Sequence, residues 1–178
     1  ARADTIAAPA LALVESHAHP QDPITARVIN LIGQIRILQN KPDAAEALFQ
    51  RTLTTPAVGI ESDWFEAAAR GGMAMVLDAR GRSADAIPLV DEALRLIALG
   101  KTRDGYDPQA LGNRLQEAEA LNLRVVLLNS AGLKQEADVA AAALPEQLAA
   151  LLGRDHFYTA AAAATRAQVL LDLQRPNE

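Results

Sequence analysis

The 178-residue sequence contains no cysteine, which excludes disulfides, thiol catalysis and cysteine-ligated metals. Aromatic residues make up only 3% of the chain, whereas 50% of it is hydrophobic and dominated by Ala and Leu. Strands favour β-branched and aromatic residues, so this composition predicts closely packed helices rather than sheets. No apolar run approaches the roughly 20 residues of a membrane-spanning helix, so we expect no membrane span.

A basic surface is also missing. The formal net charge is −5, and the chain has no long run of Lys and Arg. Nucleic acid is therefore not an expected partner, because non-specific binding to it depends on neutralising phosphates. The absence of cysteine predicts a cytoplasmic protein and is also compatible with a bacterial periplasm.

The segment 28–53 shows the unit from which the chain is built. Two amphipathic helical patterns are joined there by the polar turn 39–43, and in the second pattern Leu48, Phe49 and Leu53 recur at helical spacing. Pro42 cannot continue the first helix but is favoured in the first turn of the next one. Such a hairpin is too small to bury its own apolar faces, so it needs neighbours.

The same reasoning along the chain predicts an all-α protein with eight helices and no strands. We call the two helices of each hairpin its first and second helix. The predicted array is a second helix at 1–16, hairpins at 23–56, 62–99 and 108–152, and a lone first helix at 158–173. Because it begins and ends in mid-repeat, we expect a fragment of a longer array. Pro145 is expected to kink or restart its helix.

The turns recur at a regular interval. Aligning Asn40, Gly81, Gly132 and Gln174 gives spacings of 41, 51 and 42 residues, and a small residue lies five positions after each complete turn: Ala45, Ala86 and Ala137. Helix pairs at a period near 40 predict an α-solenoid. An irregular helical bundle whose turns fall at similar distances is the alternative.

These residues resemble the tetratricopeptide repeat (TPR) family. Gly33, Ala45 and Phe49 stand at the spacing of its small and large signature positions. The period near 42, the links 19–20 and 153–156, and the pairs Asn30-Leu31 and Asn122-Leu123 are similar to the kinesin-light-chain subtype. The pattern departs from that subtype at Gly71-Gly72 and in the third and fourth copies, at Val125 and Ala164. The resemblance implies a right-handed solenoid whose first helices line a concave groove.

The predicted groove residues are those that lie off the core stripe of the first helices. Asn side chains carry donors and an acceptor, so they can pair with the backbone of an extended peptide, a role that the resemblance implies for Asn30 and Asn122. Simple exposure to solvent is the alternative for each position. The full set is Arg27, Asn30, Gln34, Met75, Asp78, Glu119, Asn122, Asn129 and Gln168.

No constellation in the sequence predicts catalysis. His17 and His19 lack a third metal ligand nearby, and a link between repeats explains them better. Asp155 and His156 adjoin only by sequence, and the Gly71-Gly72 pair has neither the strand nor the Lys and Ser/Thr of a phosphate loop. We therefore expect no enzyme activity, no cofactor and no metal.

Two functions remain open. The first is a protein-interaction module that binds a peptide or a partner segment in the groove, as part of a larger signalling or regulatory protein. The second is a self-assembling array, such as a homodimer, that associates through its terminal helices, where residues such as Leu170, Leu171 and Leu173 are expected to be uncovered. A pocket for a small molecule is disfavoured because the chain has few aromatic residues.

Overall fold

A computed structural model describes residues 4–59 and 61–174, and within these ranges the chain is all-helical. The expected all-α class and the number of helices are confirmed for this part of the chain. The helices are α1 (Asp4–His17), α2 (Pro23–Leu38), α3 (Pro42–Thr54), α4 (Ser62–Ala79), α5 (Ser83–Gly100), α6 (Leu111–Ser130), α7 (Lys134–Leu152) and α8 (Phe157–Asp172). None of them is both long enough and apolar enough to cross a membrane.

Each helix packs against the next one along the chain. In addition, α2 contacts α4, α4 contacts α6, and α6 contacts α8, so the even-numbered helices form one continuous row. Across the described residues, the odd-numbered helices do not contact one another. The row of even-numbered helices is therefore the surface on which a site shared by several repeats can form.

The turns aligned by sequence adopt one backbone conformation. Asn40, Gly81, Gly132 and Gln174 all have positive φ, at 56°, 74°, 77° and 60°. After α2, α4 and α6, the N–H three residues past the end of the helix bonds to a carbonyl five residues back, as in Lys41 to Arg36 at 2.9 Å. This is the Schellman ending, which a left-handed residue after the helix permits. The predicted repetition of the turn is thus confirmed in its geometry.

Small residues allow the helices of each pair to approach closely. Ala45, Ala86 and Ala137 are each fully buried. Phe49 on α3 is also fully buried and lies against Gly33 of α2 and Gly72 of α4, where an added Cβ would be 2.5 Å and 2.3 Å from its ring. One aromatic ring therefore sets the spacing of three helices.

Two predictions about the helices differ from the structure by more than one or two residues at a helix end. The third hairpin begins at Leu111 rather than at 108, because Asp107 Oδ1 accepts a hydrogen bond from the N–H of Gln109 and forms a turn first. The helix around Pro145 does not restart there, since α7 runs without a break from Lys134 to Leu152. Leu144 and Leu148 flank the proline and are fully buried, so packing maintains the helix.

The long connection between α5 and α6 folds back on the start of α4. The rings of Trp64 and Tyr106 are stacked with centroids 6.0 Å apart, and Trp64 also lies against Gly100. Arg103 makes two hydrogen bonds to Asp63, at 2.7 Å and 3.1 Å. Trp64 is only 4% exposed, so it is a core contact.

The last helix is partly covered, contrary to one expectation. Leu170 is buried and Leu173 packs partly against the core formed by α6, α7 and α8, whereas Leu171 is 56% exposed. Leu170 was predicted to lack a cover, and that prediction is wrong because α8 turns this residue toward its neighbours. Only Leu171 of the three remains largely in solvent.

Candidate functional site

The even-numbered helices together enclose a cleft of about 370 Å³. We call this space the cleft. It is lined by Gln34 and Leu38 of α2, Ala67, Ala68, Gly71, Gly72 and Met75 of α4, Ile97 of α5, Gln116, Glu119, Ala120, Asn122, Leu123 and Val126 of α6, and Tyr158 of α8. Its volume lies within the ~300–1,000 Å³ typical of ligand pockets.

Two adjacent glycines in α4 have different roles at the cleft. Gly72 is buried against Phe49, so an added Cβ would collide with that ring. Gly71 lines the cleft, and an added Cβ there would meet no atom within 4 Å. Of the two glycines, Gly72 alone therefore makes a close contact with a neighbouring helix. Gly71 instead leaves open space in the cleft wall.

A ladder of three hydrogen bonds joins α6 to α8 on one side of the cleft. Tyr158 Oη donates to Glu119 Oε1 at 2.7 Å, Thr165 Oγ1 donates to Asn122 Oδ1 at 2.8 Å, and Asn129 Nδ2 donates to Asp172 Oδ2 at 2.5 Å. Residue numbers rise together along both helices, so α6 and α8 run parallel. The three α8 members lie seven residues apart, which places them on one helix face.

The pKa values of Tyr158 and Asp172, at the two ends of this ladder, are shifted from their ordinary values. Burial is the main reason that the pKa of Tyr158 rises to about 12, and its hydrogen bond to Glu119 adds to the effect. The phenol therefore stays protonated as a donor at neutral pH. At the other end, the hydrogen bond from Asn129 lowers the pKa of Asp172, with smaller contributions from Gln168 and Lys134.

Four of the predicted groove residues line the cleft: Gln34, Met75, Glu119 and Asn122. Glu119 is exposed, and the other three are half-buried. Helical periodicity was enough to identify them, because positions on one helix face point toward the same neighbours. The structure therefore brings together side chains from three helices that the sequence assigned to one groove.

Asn30, a leading candidate for peptide contact, does not line the cleft. It is only 4% exposed, its Nδ2 donates to the Phe65 carbonyl at 2.9 Å, and its Oδ1 accepts from Thr52 at 3.0 Å. The expectation that Asn30 faces the groove does not fit this position. A buried amide needs hydrogen-bond partners, and here it finds them on α3 and α4.

The remaining four predicted residues lie outside the cleft lining. Arg27 and Gln168 are exposed on α2 and α8. Asp78 accepts a hydrogen bond from Ser83 at 2.6 Å, across the turn between α4 and α5. Asn129 belongs to the ladder and also accepts from Lys134 at 3.1 Å. The contact of Asp78 stabilises a turn, and that of Asn129 with Asp172 joins two helices.

Sequence reasoning missed most of the apolar lining and Tyr158. Leu38 is 85% exposed, and it follows Gln34 by four residues on the same face of α2. On α6, Leu123 follows Glu119 and Val126 follows Asn122 by the same four residues. That helical spacing was a usable signal, but apart from Met75 the predicted groove residues were all polar. Tyr158 gave no such signal, because it begins its helix next to a link.

The histidines have local structural roles. His17 Nδ1 lies 3.1 Å from the Leu13 carbonyl oxygen, and His19 Nδ1 accepts from the N–H of Gln21 at 3.2 Å. His156 Nδ1 accepts from the N–H of Tyr158 at 3.2 Å and so caps α8. Within residues 4–59 and 61–174, no three potential ligands of the His, Asp and Glu types gather as a metal site would require.

A larger crevice of about 580 Å³ lies on the α6–α7 hairpin. Arg124, which lines it, donates to Asp91 at 2.6 Å and is therefore engaged with α5. Val139, also in its lining, is 70% exposed. This crevice belongs to a single hairpin, whereas the cleft gathers residues from four alternate helices. We therefore take the cleft as the candidate site.

No protein-family profile matches the chain, and no curated protein matches it significantly. The fold itself defines an all-α protein of paired helices with a continuous row of alternate helices. The likeness to TPR proteins accordingly rests on the residues quoted above.

Proposed function

We propose that this chain is a TPR-like right-handed solenoid that binds a peptide or a partner's segment in the cleft, as part of a larger signalling or regulatory protein. The observation that carries the proposal is the cleft itself, to which α2, α4, α6 and α8 all contribute. In a stacked array of hairpins, alternate helices face one side and form an extended binding surface.

The open space beside Gly71 supports this role. A glycine inside a helix costs roughly 0.5–1 kcal/mol relative to alanine, so it needs a reason. For Gly72 the reason is the ring of Phe49, but Gly71 has no atom within 4 Å of where its Cβ would lie. A requirement for room in the cleft accounts for a glycine at this position.

The test fills the cleft without disturbing the packing. A display library of random 16-residue peptides is selected on the intact protein, and each selected peptide is then measured on Gly71→Gln and Gly112→Gln. Gly112 is the control, because it lies in the exposed first turn of α6, has open space at its Cβ and is outside the cleft.

We expect Gly71→Gln to abolish the binding of most selected peptides and Gly112→Gln to leave it unchanged. Both variants should fold, since neither new side chain meets a neighbouring atom at its Cβ. A selection without binders, or binders that tolerate both variants equally, would overturn the proposal.

Self-association through the terminal helices is the second candidate, and exposed apolar residues favour it. Ile6 and Leu13 of α1 are 73% and 61% exposed, and Phe157 and Leu171 of α8 are 75% and 56% exposed. If this function is correct, the mass in solution should rise with concentration, and Leu171→Glu should restore the monomer. A monomer at all concentrations would remove this candidate.

A further inference from the structure

Four of the five polar side chains in the cleft lining already make hydrogen bonds within the protein. Gln116 Nε2 donates to the Trp64 carbonyl at 2.6 Å, Asn122 Oδ1 accepts from Thr165, and Glu119 accepts from Tyr158. An extended peptide brings unpaired backbone N–H and C=O groups, which are costly to bury without partners. This cleft is therefore poorly equipped to pair with an extended backbone.

Its walls are instead suited to apolar side chains. Leu38 is largely exposed at the mouth, and Met75, Leu123 and Val126 are half-buried along the walls. A helix satisfies its own backbone hydrogen bonds and presents an apolar face at i, i+3, i+4 and i+7. An amphipathic helix can thus fill the cleft without needing polar partners for its main chain.

One charged group in the cleft lining further restricts which amphipathic helices can bind. Glu119 is the single charged residue in the cleft lining, and it is exposed. The hydroxyl of Tyr158 holds one of its oxygens in place at 2.7 Å. Arg27, which is exposed on α2, lies outside the lining and so adds no positive charge to it. A negative charge fixed beside apolar walls favours a ligand with a long basic side chain.

We infer that the occupant is an amphipathic helix whose apolar face is followed by a Lys or Arg that pairs with Glu119. The inference rests on the proposed function, because it takes the cleft to be the binding site. Tyr158 acts as a positioning residue, since it orients the carboxylate that contacts the ligand. Leu38, Met75 and Leu123 receive the apolar face.

The experiment uses the peptides that lose binding on Gly71→Gln. Their affinities are measured by fluorescence anisotropy on the wild type and on Glu119→Gln, which keeps an oxygen to accept from Tyr158 and removes only the charge. We expect Lys or Arg to be enriched in these peptides over the starting library. We also expect roughly tenfold weaker binding to Glu119→Gln, as for the loss of a charge-assisted contact.

Two further arms test the shape and the sign of the ligand. A proline placed in the middle of a selected peptide should abolish its binding, because proline breaks a helix. A selection on Glu119→Lys should enrich Asp and Glu in place of Lys and Arg. Peptides that keep full affinity for Glu119→Gln, or that tolerate the proline, would overturn the inference while the proposed function stood.

Failure of the proposed function and failure of the inference about the helix give different results. If no peptide is sensitive to Gly71→Gln, the proposed function fails and the inference fails with it. If peptides are sensitive to Gly71→Gln but indifferent to Glu119→Gln, only the inference fails. Circular dichroism of each variant checks that a lost affinity does not come from unfolding.

Discussion

The ring of Phe49 fills the space in front of Gly72, where an added Cβ would lie 2.3 Å from the ring's Cζ atom. Phe49 is fully buried, so its ring has little room to move away. The same ring faces Gly33 on α2. The distance between α2 and α4, and with it the width of the cleft, therefore depends on two glycines and one aromatic ring.

This contact predicts opposite effects at neighbouring positions. Gly72→Ala should destabilise the protein by about 1–3 kcal/mol, as overpacking of a core does. Gly71→Ala should instead stabilise it by about 0.5–1 kcal/mol, because alanine is the better helix former and the site is open. Urea unfolding followed by circular dichroism measures both. Equal effects of the two substitutions would mean that Phe49 does not set the helix spacing.

Asn30 is expected to contribute to stability. Asn30→Ala would leave the Thr52 hydroxyl and the Phe65 carbonyl without their partner, at a cost of about 1–3 kcal/mol. Gln34→Ala, one turn further along α2 and half-buried in the cleft lining, should change stability by about 0.5 kcal/mol or less. Urea unfolding of both variants makes the comparison. A stable Asn30→Ala that fails to bind peptides would return Asn30 to its predicted role in the groove.

The Arg103–Asp63 pair is expected to hold the α5–α6 connection on α4. The Asp63 side chain is 9% exposed, so removal of its partner leaves a poorly solvated carboxylate. Arg103→Ala should therefore lower the urea midpoint and shift the fluorescence of Trp64 to longer wavelength. Arg154→Ala is the control, because Arg154 and its partner Glu146 are 78% and 73% exposed. Identical midpoints for the two variants would contradict the assigned role.

The raised pKa of Tyr158 predicts a loss of stability at alkaline pH. Its pKa is about 12 in the folded protein, above the ordinary value of 10.0, so folding favours the protonated phenol. The stabilisation is complete below pH 10 and is lost as the pH rises from about 10 to about 12. Ultraviolet titration of tyrosinate, compared between the wild type and Tyr158→Phe, isolates this group.

Glu119→Gln separates the causes of that shift. It removes the nearby negative charge but not the burial, which is the larger cause. The pKa of Tyr158 should consequently fall part of the way from about 12 toward 10.0. A pKa that is unchanged by Glu119→Gln would show that the charge of Glu119 does not contribute to the shift in solution.

Much of the fold was predictable from local signals. The helix endings at Asn40, Gly81 and Gly132 follow from residues that tolerate positive φ, and the alanines five positions later follow from the small size needed where helices cross. Helical periodicity also placed Gln34 and Glu119 off the core stripe of their own helices, because it determines which side chains of one helix share a face. These properties depend on residues close together in the chain.

Only the tertiary structure decided which neighbour each face meets. Asn30 is buried because the Phe65 carbonyl, 35 residues later, lies beside it, and Tyr158 joins the cleft because Glu119, 39 residues earlier, accepts its hydrogen bond. Gly71 and Gly72 are alike in sequence and differ only because Phe49 packs against one of them. The helical period fixes only the direction in which each side chain points around the axis of its own helix, whereas contacts between helices depend on how all of them pack together.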